Sequence, residues 1–364
     1  MEGVLRMCGF AGFSDLQEEF SGQEQHWLDL ARRMARRLAH RGPDSQGAHL
    51  SRHCALAHAR LAVMDPEHGA QPMSLPWRGQ EVTIAYNGEL YNAPELRAQL
   101  EERGFSFQTR CDTEVVLAAY LAFGPDCVEQ FNGIFAFAVD DPVNRRVFLC
   151  RDRFGVKPLF YTLQEHRLAF ASEIKGLLEF PGVSPVVGRE GLCELFGLGP
   201  ARTPGCGVFQ GIRELRPGHM AVFDRLGFRE IPYFDLEAQP HGESYPETVE
   251  HVRALLLDTV ERQLASDVPL CTFLSGGLDS SVVTAIAAQK LRERGERLST
   301  YSFEFEGNQE FFTPSSFQPD RDEGPAGQQP AGHGPHLPAL LQPAAGGLFA
   351  ERRHRQGPAR HGGH

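Results

Sequence analysis

The sequence has no C-x-x-C pair and no H-E-x-x-H. Its eight cysteines stand at scattered positions, so neither a zinc site nor a disulfide framework is indicated. The thiols read as reduced, as in a cytoplasmic protein. No run approaches the roughly eighteen apolar residues of a membrane span, and the first residues show no apolar stretch flanked by basic ones, so a soluble chain is expected. Basic charge is short as well: 36 Lys and Arg against 47 Asp and Glu leave a net charge of -11. That argues against a nucleic-acid surface and leaves any phosphate site to local geometry. Residues 321–364 contain no Val, Ile, Tyr, Trp, Met, Cys, Lys, Asn, Ser or Thr. Such a stretch is expected to build neither strands nor a core, and it reads as a disordered, out-of-frame tail.

The remainder is globular in composition and long enough for two domains. Trp27, Ala31, Met34 and Leu38 recur at helical spacing, and the Gly42-Pro43 step after them requires a turn. Short strands are expected at Leu56–Met64, Thr83–Tyr86, Ile134–Val139, Val147–Cys150, Leu159–Tyr161 and Leu168–Ala171. Helices are expected at Pro94–Arg103 and Asp112–Phe123, the second capped by Asp112 or Thr113. This first part is α+β, with sheets covered by helices. Pro181–Tyr245 is rich in Gly and Pro and reads as a domain junction. A helix through Val249 to Leu264, a strand at Pro269–Leu274, a helix at Asp279–Arg294 and a strand at Leu298–Phe305 then spell a parallel α/β sheet.

Chemistry concentrates at three places. Cys8 directly follows Met7; if Met7 is the initiator and is removed, the free α-amine of Cys8 is a general base for its own thiol. The plainer reading of Cys8 alone is a small apolar residue opening the first strand. Arg60, the Tyr86-Asn87-Gly88-Glu89 turn and Asp112 supply a guanidinium for an α-carboxylate, carboxylates for an α-ammonium, and an oxyanion hole from Asn87 and the Gly88 amide. Each also has a plain explanation: surface cation, hairpin turn, helix cap. Ser275-Gly276-Gly277-Leu278-Asp279-Ser280-Ser281, between a strand and a helix, is a phosphate cradle of glycine backbone, helix N-terminus and serine hydroxyls. It lacks the Gly-Lys-Ser/Thr of NTP hydrolases, so Asp279 is read as holding Mg2+ or orienting pyrophosphate.

Met7-Cys8-Gly9-Phe10-Ala11-Gly12, Arg41-Gly42-Pro43-Asp44, Tyr86 to Glu89, Asp112 with Glu114, Arg151 to Leu159 and Ser275 to Ser281, in this order, resemble glutamine-hydrolysing asparagine synthetase. The resemblance runs from Met7 to about Asp320. It implies an N-terminal nucleophile αββα sandwich at residues 8–224, the first part of an ATP-pyrophosphatase domain at 245–320, and the tail at 321–364. It makes Cys8 the nucleophile and Asn87 with Gly88 the oxyanion hole. Arg60, Leu61, Ala62, Val63, Met64, Asn87, Gly88, Glu89 and Asp112 would hold glutamine. Leu274, Ser275, Gly276, Gly277, Leu278, Asp279, Ser280, Ser281 and Phe303 would hold ATP. Asp152 to Pro158 is taken as structural. Glutamine, aspartate and ATP are the implied substrates, with Mg2+ beside ATP and a homodimer as a further expectation.

Two departures from the family pattern qualify this. Met1 to Arg6 precede the usual start and, if kept, deny Cys8 its free amine. The pattern also stops near Asp320, so the chain as written is expected to hydrolyse glutamine without making asparagine. The alternatives are an inactive binding or regulatory chain and a relative resembling β-lactam synthetase.

Overall fold

The computed structural model describes residues 7–302 and the backbone of residues 348–350. The chain divides between Gln239 and Pro240 into two compact units. In chain order the first unit holds β1 (Gly9–Asp15), α1 (Glu24–Arg36), β2 (Ser45–Leu50), β3 (Cys54–Arg60), β4 (Met73–Trp77), β5 (Gln80–Leu90), α2 (Ala93–Glu102) and α3 (Asp112–Phe123). After a 3-10 turn come β6 (Gly133–Asp141), β7 (Arg146–Arg151), β8 (Phe160–Gln164), β9 (Arg167–Ala171), α4 (Ile174–Leu177), α5 (Arg189–Gly197), β10 (Ile212–Glu214), β11 (His219–Asp224) and β12 (Gly227–Pro232).

These strands form two antiparallel six-stranded sheets, ordered β10-β8-β9-β1-β3-β2 and β12-β11-β7-β6-β5-β4. Successive side chains of a strand point to opposite faces, and here both faces are covered. On β3, Cys54 and Leu56 join the core between the sheets, while Ala55, Ala57 and Ala59 meet Leu30, Ala31 and Met34 of α1. On β6, Ala136 and Ala138 face the other sheet, while Phe135, Phe137 and Val139 pack with Val115, Val116 and Ala119 of α3. On β6 the small residues face the other sheet and the large ones the helix, whereas β3 turns its alanines to the helix and Leu56 to the other sheet. Phe135, Phe137 and Phe148 are fully buried, each contributing roughly 1.5–3 kcal/mol. The layers run helix, sheet, sheet, helix, as expected of the αββα sandwich.

Several local expectations are corrected. Pro181–Tyr245 is no simple junction, because β10, β11 and β12 within it complete one edge of each sheet. Tyr86 to Glu89 is not a turn: it lies inside β5, where Asn87 pairs with Ala136 and Gly88 with Phe135 of β6. The strand expected to run to Met64 ends at Arg60, whose guanidinium gathers the carbonyls of residues 64–66 and folds the chain back. The N-cap of α3 is Cys111; the Asp112 carboxylate turns away to Tyr86 and Leu90.

The second unit holds α6 (Tyr245–Arg262), β13 (Leu270–Phe273), α7 (Leu278–Glu293), β14 (Ser299–Tyr301) and β15 (Leu348–Ala350). A reciprocal Ser244–Glu247 capping box starts α6. The strands β13 and β14 pair in parallel, as the strand-helix-strand pattern requires. The expectation that 321–364 builds no strand is corrected at Leu348–Ala350, which pairs antiparallel with β13. Leu-Phe-Ala is a proline-free apolar triplet, and the second edge of β13 supplies the unpaired backbone groups that such a triplet satisfies. No described helix is long and apolar enough to cross a membrane.

Candidate active site

Cys8 lies one residue before β1, tied to the turn that follows α1. The Met7 N–H donates to the Arg41 carbonyl (3.0 Å), and Arg41 Nε donates to the Cys8 carbonyl (2.8 Å). Arg41 Nη1 in turn bonds Glu173 (2.9 Å). Although burial opposes it, Lys175, Arg41 and His40 hold the Glu173 carboxyl down to about 2, so the anchor stays charged. The Cys8 sulfur accepts the Leu61 N–H (3.3 Å) and lies 3.4 Å from the Leu61 carbonyl. Burial pushes the thiol up to about 11, and the Leu61 N–H, Lys157 and Arg60 pull it down only in part. The thiol is therefore neutral near pH 7 and needs a base to become a nucleophile.

Of the expected glutamine-binding residues, Arg60, Leu61, Val63 and Met64 line one cavity with Cys8, the expected nucleophile, joined by Gly88, Glu89 and Asp112 from the facing sheet and helix. Ala62 and Asn87 are not in its lining. Ala62 is buried with its N–H on Asp44 Oδ2 (2.9 Å), fixing the loop from below. Asn87 is fully buried, and among the described residues its Nδ2 has no hydrogen-bond partner. An unpaired buried amide donor costs about 1–3 kcal/mol, which makes Asn87 a stored donor. Arg60 is no surface cation: it is buried and donates to the carbonyls of Pro66 (2.9 Å), Met64 (3.1 Å) and Asp65 (2.8 Å).

The acidic pair is shaped by burial. Asp112 Oδ2 accepts the Tyr86 hydroxyl (3.0 Å) and the Leu90 N–H (2.9 Å), while desolvation raises its pKa. Burial first, and then the neighbouring Asp112 carboxylate, push Glu89 up to about 8. Two carboxyls crowded in this way favour a cationic ligand group that replaces a proton.

The cavity also holds residues that sequence reasoning missed. Gln71 accepts the Tyr86 N–H (2.7 Å) and donates to Thr113 Oγ1 (3.3 Å), joining β5 to α3. A Cβ on Gly69 would stand 2.4 Å from Arg60 Nη2, so any larger residue there would displace the guanidinium that gathers the loop carbonyls. Asp65 accepts the Arg110 N–H (2.8 Å) and so pins the Arg60 loop to the segment before α3. Glu114 accepts the N–H groups of Gln108 (2.9 Å) and Thr109 (2.8 Å), closing that same segment. Asp65 and Glu114 stand outside the cavity lining, and apart from Glu114, which stood beside Asp112 in the motif read from sequence, none of these carries a local motif. The neighbouring His58 is no base for this site: it is fully buried, and burial holds its ring down to about 4. The neutral ring bonds the Tyr86 carbonyl across the two sheets (2.9 Å).

In the second unit Ser275 to Ser281 joins β13 to α7 as expected, with Gly276 at φ +77°, a conformation L side chains rarely adopt. The serines differ from expectation. Ser280 is buried and its hydroxyl donates to the Gly277 carbonyl (3.2 Å); Ser281 does the same (3.0 Å). They shape the loop and leave anion contact to the backbone N–H groups at the α7 N-terminus. Leu274 is fixed to the next strand by its N–H on the Tyr301 carbonyl (2.8 Å). Phe303 lies outside the described residues. Among the described residues no three His, Cys, Asp or Glu side chains gather around a metal position. Asp279, exposed in the first turn of α7, does not by itself make a Mg2+ site.

Comparison with known proteins agrees with this division. The family described as "Glutamine amidotransferase domain" matches residues 7–234, and that described as "Asparagine synthase" matches residues 251–329. The chain is 48% identical over 320 residues to asparagine synthetase [glutamine-hydrolyzing] 3 of Bacillus subtilis, covering 88% of this chain and 51% of that protein. It is 33% identical over 300 residues to asparagine synthetase B of Escherichia coli, covering 80% and 46%. A solved glutamine phosphoribosylpyrophosphate amidotransferase from B. subtilis aligns at 18% identity with a TM-score of 0.46, over 85% of this chain and 69% of its own. The chain thus spans about half the length of these two synthetases. With its match over residues 7–234 and the Cys8 cavity inside that span, the chain belongs to the glutamine amidotransferase domain family.

Proposed function

We propose that the first unit hydrolyses glutamine to glutamate and ammonia, with Cys8 as nucleophile. Removal of Met7 frees the α-amine of Cys8, which takes the thiol proton. The sulfur then attacks the side-chain amide carbon of glutamine. The oxyanion that forms accepts hydrogen bonds from Asn87 Nδ2 and the Gly88 N–H. The α-amine returns its proton to the leaving nitrogen, ammonia departs, and water hydrolyses the thioester to glutamate and free thiol. Glu89 and Asp112 hold the α-ammonium, and the loop that Arg60 organises receives the α-carboxylate. The observation that carries this reading is the buried, unpartnered Asn87 amide beside Gly88 of the Cys8 cavity.

The second unit then belongs to the synthetase half. Ser275 to Ser281 and the α7 N-terminus cradle the phosphates of ATP, and Mg2+ would enter with ATP and offset its charge. In a whole synthetase, aspartate would be activated through its side-chain carboxylate with release of pyrophosphate and ammonia would displace the adenylate to give asparagine; this unit supplies the phosphate cradle for the first of those steps. The support is the strand-loop-helix geometry, the match at residues 251–329 and the synthetase relatives.

Glutamate release from glutamine by protein whose mass shows Cys8 at its N-terminus tests the first unit. Cys8→Ala should lower the rate by more than about a thousandfold. Unchanged release in that variant ends the reading. Aspartate-dependent exchange of pyrophosphate into ATP tests the second.

A further inference from the structure

Tyr86 lines the Cys8 cavity, and none of the chemistry proposed above uses its phenol. Its place is fixed from several sides. On β5 it pairs with Phe137 of β6, its N–H donates to Gln71 Oε1 (2.7 Å) and its carbonyl bonds the His58 ring (2.9 Å). The side chain is buried, its ring 6.3 Å from that of Phe137. So held, the hydroxyl donates to Asp112 Oδ2 (3.0 Å), and the same oxygen accepts the Leu90 N–H (2.9 Å). Both donors belong to β5, the strand that also carries Gly88 and Glu89, although Asp112 itself belongs to α3. Burial first, and then the Asp112 and Glu89 carboxylates, push the phenol well above its usual range, so it remains a donor. A carboxylate at a helix start has the N–H groups of its own first turn as alternative partners. Those of Asp112 and Thr113 are close enough to offset part of the rise that burial imposes on Asp112. The phenol therefore decides which way the carboxylate turns.

We propose that Tyr86 is a positioning residue for substrate choice: its hydroxyl aims Asp112 at the α-ammonium, so that the cavity prefers an amide bearing an α-amine to the same amide without one. The proposal rests on the reading of the cavity as a glutamine site with Asp112 at the α-ammonium. A contact between ammonium and carboxylate depends on distance and direction. A carboxylate that swings back to its own helix loses that contact, while the carboxylate and side-chain amide of the substrate keep theirs. Sequence reasoning gave the phenol no role, because its partner stands 26 positions away on another element.

The test compares L-glutamine with glutaramate, which is glutamine without its α-amine, in the wild type and Tyr86→Phe, each beginning at Cys8. The wild type should prefer L-glutamine by at least about tenfold in kcat/KM. Tyr86→Phe keeps the ring and should lower kcat/KM for L-glutamine about tenfold, mainly through KM, while glutaramate stays within about twofold. Unmoved glutaramate turnover also shows that the variant is folded. In an Asp112→Ala background the same substitution should move L-glutamine by less than about twofold. A change shared equally by the two amides, or none for either, would overturn the proposal. So would a tenfold loss that persists without Asp112, or a wild type indifferent to the α-amine. If the wild type releases no glutamate, the proposed reaction falls, and calorimetric binding of the two amides judges the positioning role separately. A Kd about tenfold higher for L-glutamine alone in Tyr86→Phe keeps that role. Equal weakening of both, or no binding of L-glutamine to the wild type, removes it.

Discussion

The Asn87 amide is held in place by the fold at a continuing cost, since it is buried and, among the described residues, its Nδ2 has no partner. Catalysis uses such a donor only when negative charge develops on the carbonyl oxygen. Asn87→Ala should therefore lower kcat by on the order of 10²–10³ with little change in KM, measured by glutamate release. It should also leave the folded unit no less stable, because it removes a desolvated group that lacks a partner. Asn87, Gly88 and Asp112 were visible in the sequence because their residue types carry chemistry and stand in a recognisable motif. Their setting was not visible. The Asn87-Gly88 pair sits within a strand although it is among the strongest hairpin signals a sequence can show, because pairing with β6 on a covered sheet outweighs the local preference. Arg60 looked like a ligand for carboxylate, and its three carbonyl partners lie four to six residues ahead.

Elements with dense branched and aromatic residues, such as β6, β7 and β9, could be placed from sequence. The strands β2 and β4 could not: Ser-Gln-Gly-Ala-His-Leu has no β-branched residue, and Met-Ser-Leu-Pro-Trp contains a proline. Both are sheet edges, where one neighbour suffices and proline is tolerated. The β7–β8 loop is joined to the entry of β1 across 150 positions by the Lys157 contact with Met7, a separation no local pattern shows. Asp152 holds that loop by accepting the N–H groups of Phe135, Phe154, Val156 and Lys157. Asp152→Ala should cost on the order of 3 kcal/mol in urea unfolding.

At the scale of the whole first unit, His58 and Asp140 make stability depend on pH in opposite senses. His58 stays neutral in the folded unit, held down to about 4 by burial, and titrates near 6.5 when unfolded. Below about 6.5 the unfolded chain takes up a proton that the folded one refuses. The His58 contribution is thus complete above about 6.5 and falls away toward 4, by roughly 2 kcal/mol at about pH 5. Burial pushes Asp140 up to about 7, so its neutral form favours the folded unit on the acid side. His58→Gln, which keeps a donor for the Tyr86 carbonyl, separates the two: the difference between its urea stability and that of wild type should shrink from about pH 7 to about pH 5. A constant difference would show that His58 titrates with the same pKa in the folded and unfolded states. The burial of α3 on all sides, from Asp112 through Tyr120, has a kinetic consequence. Its interior amides, from Val116 onward, can meet solvent deuterium only when the entire unit opens, whereas those of α5, where only Gly191 is buried, exchange through local fraying. The turn that carries Asp112 therefore begins the slowest-exchanging helix of the unit, and the carboxylate facing the cavity keeps its position for as long as the fold does.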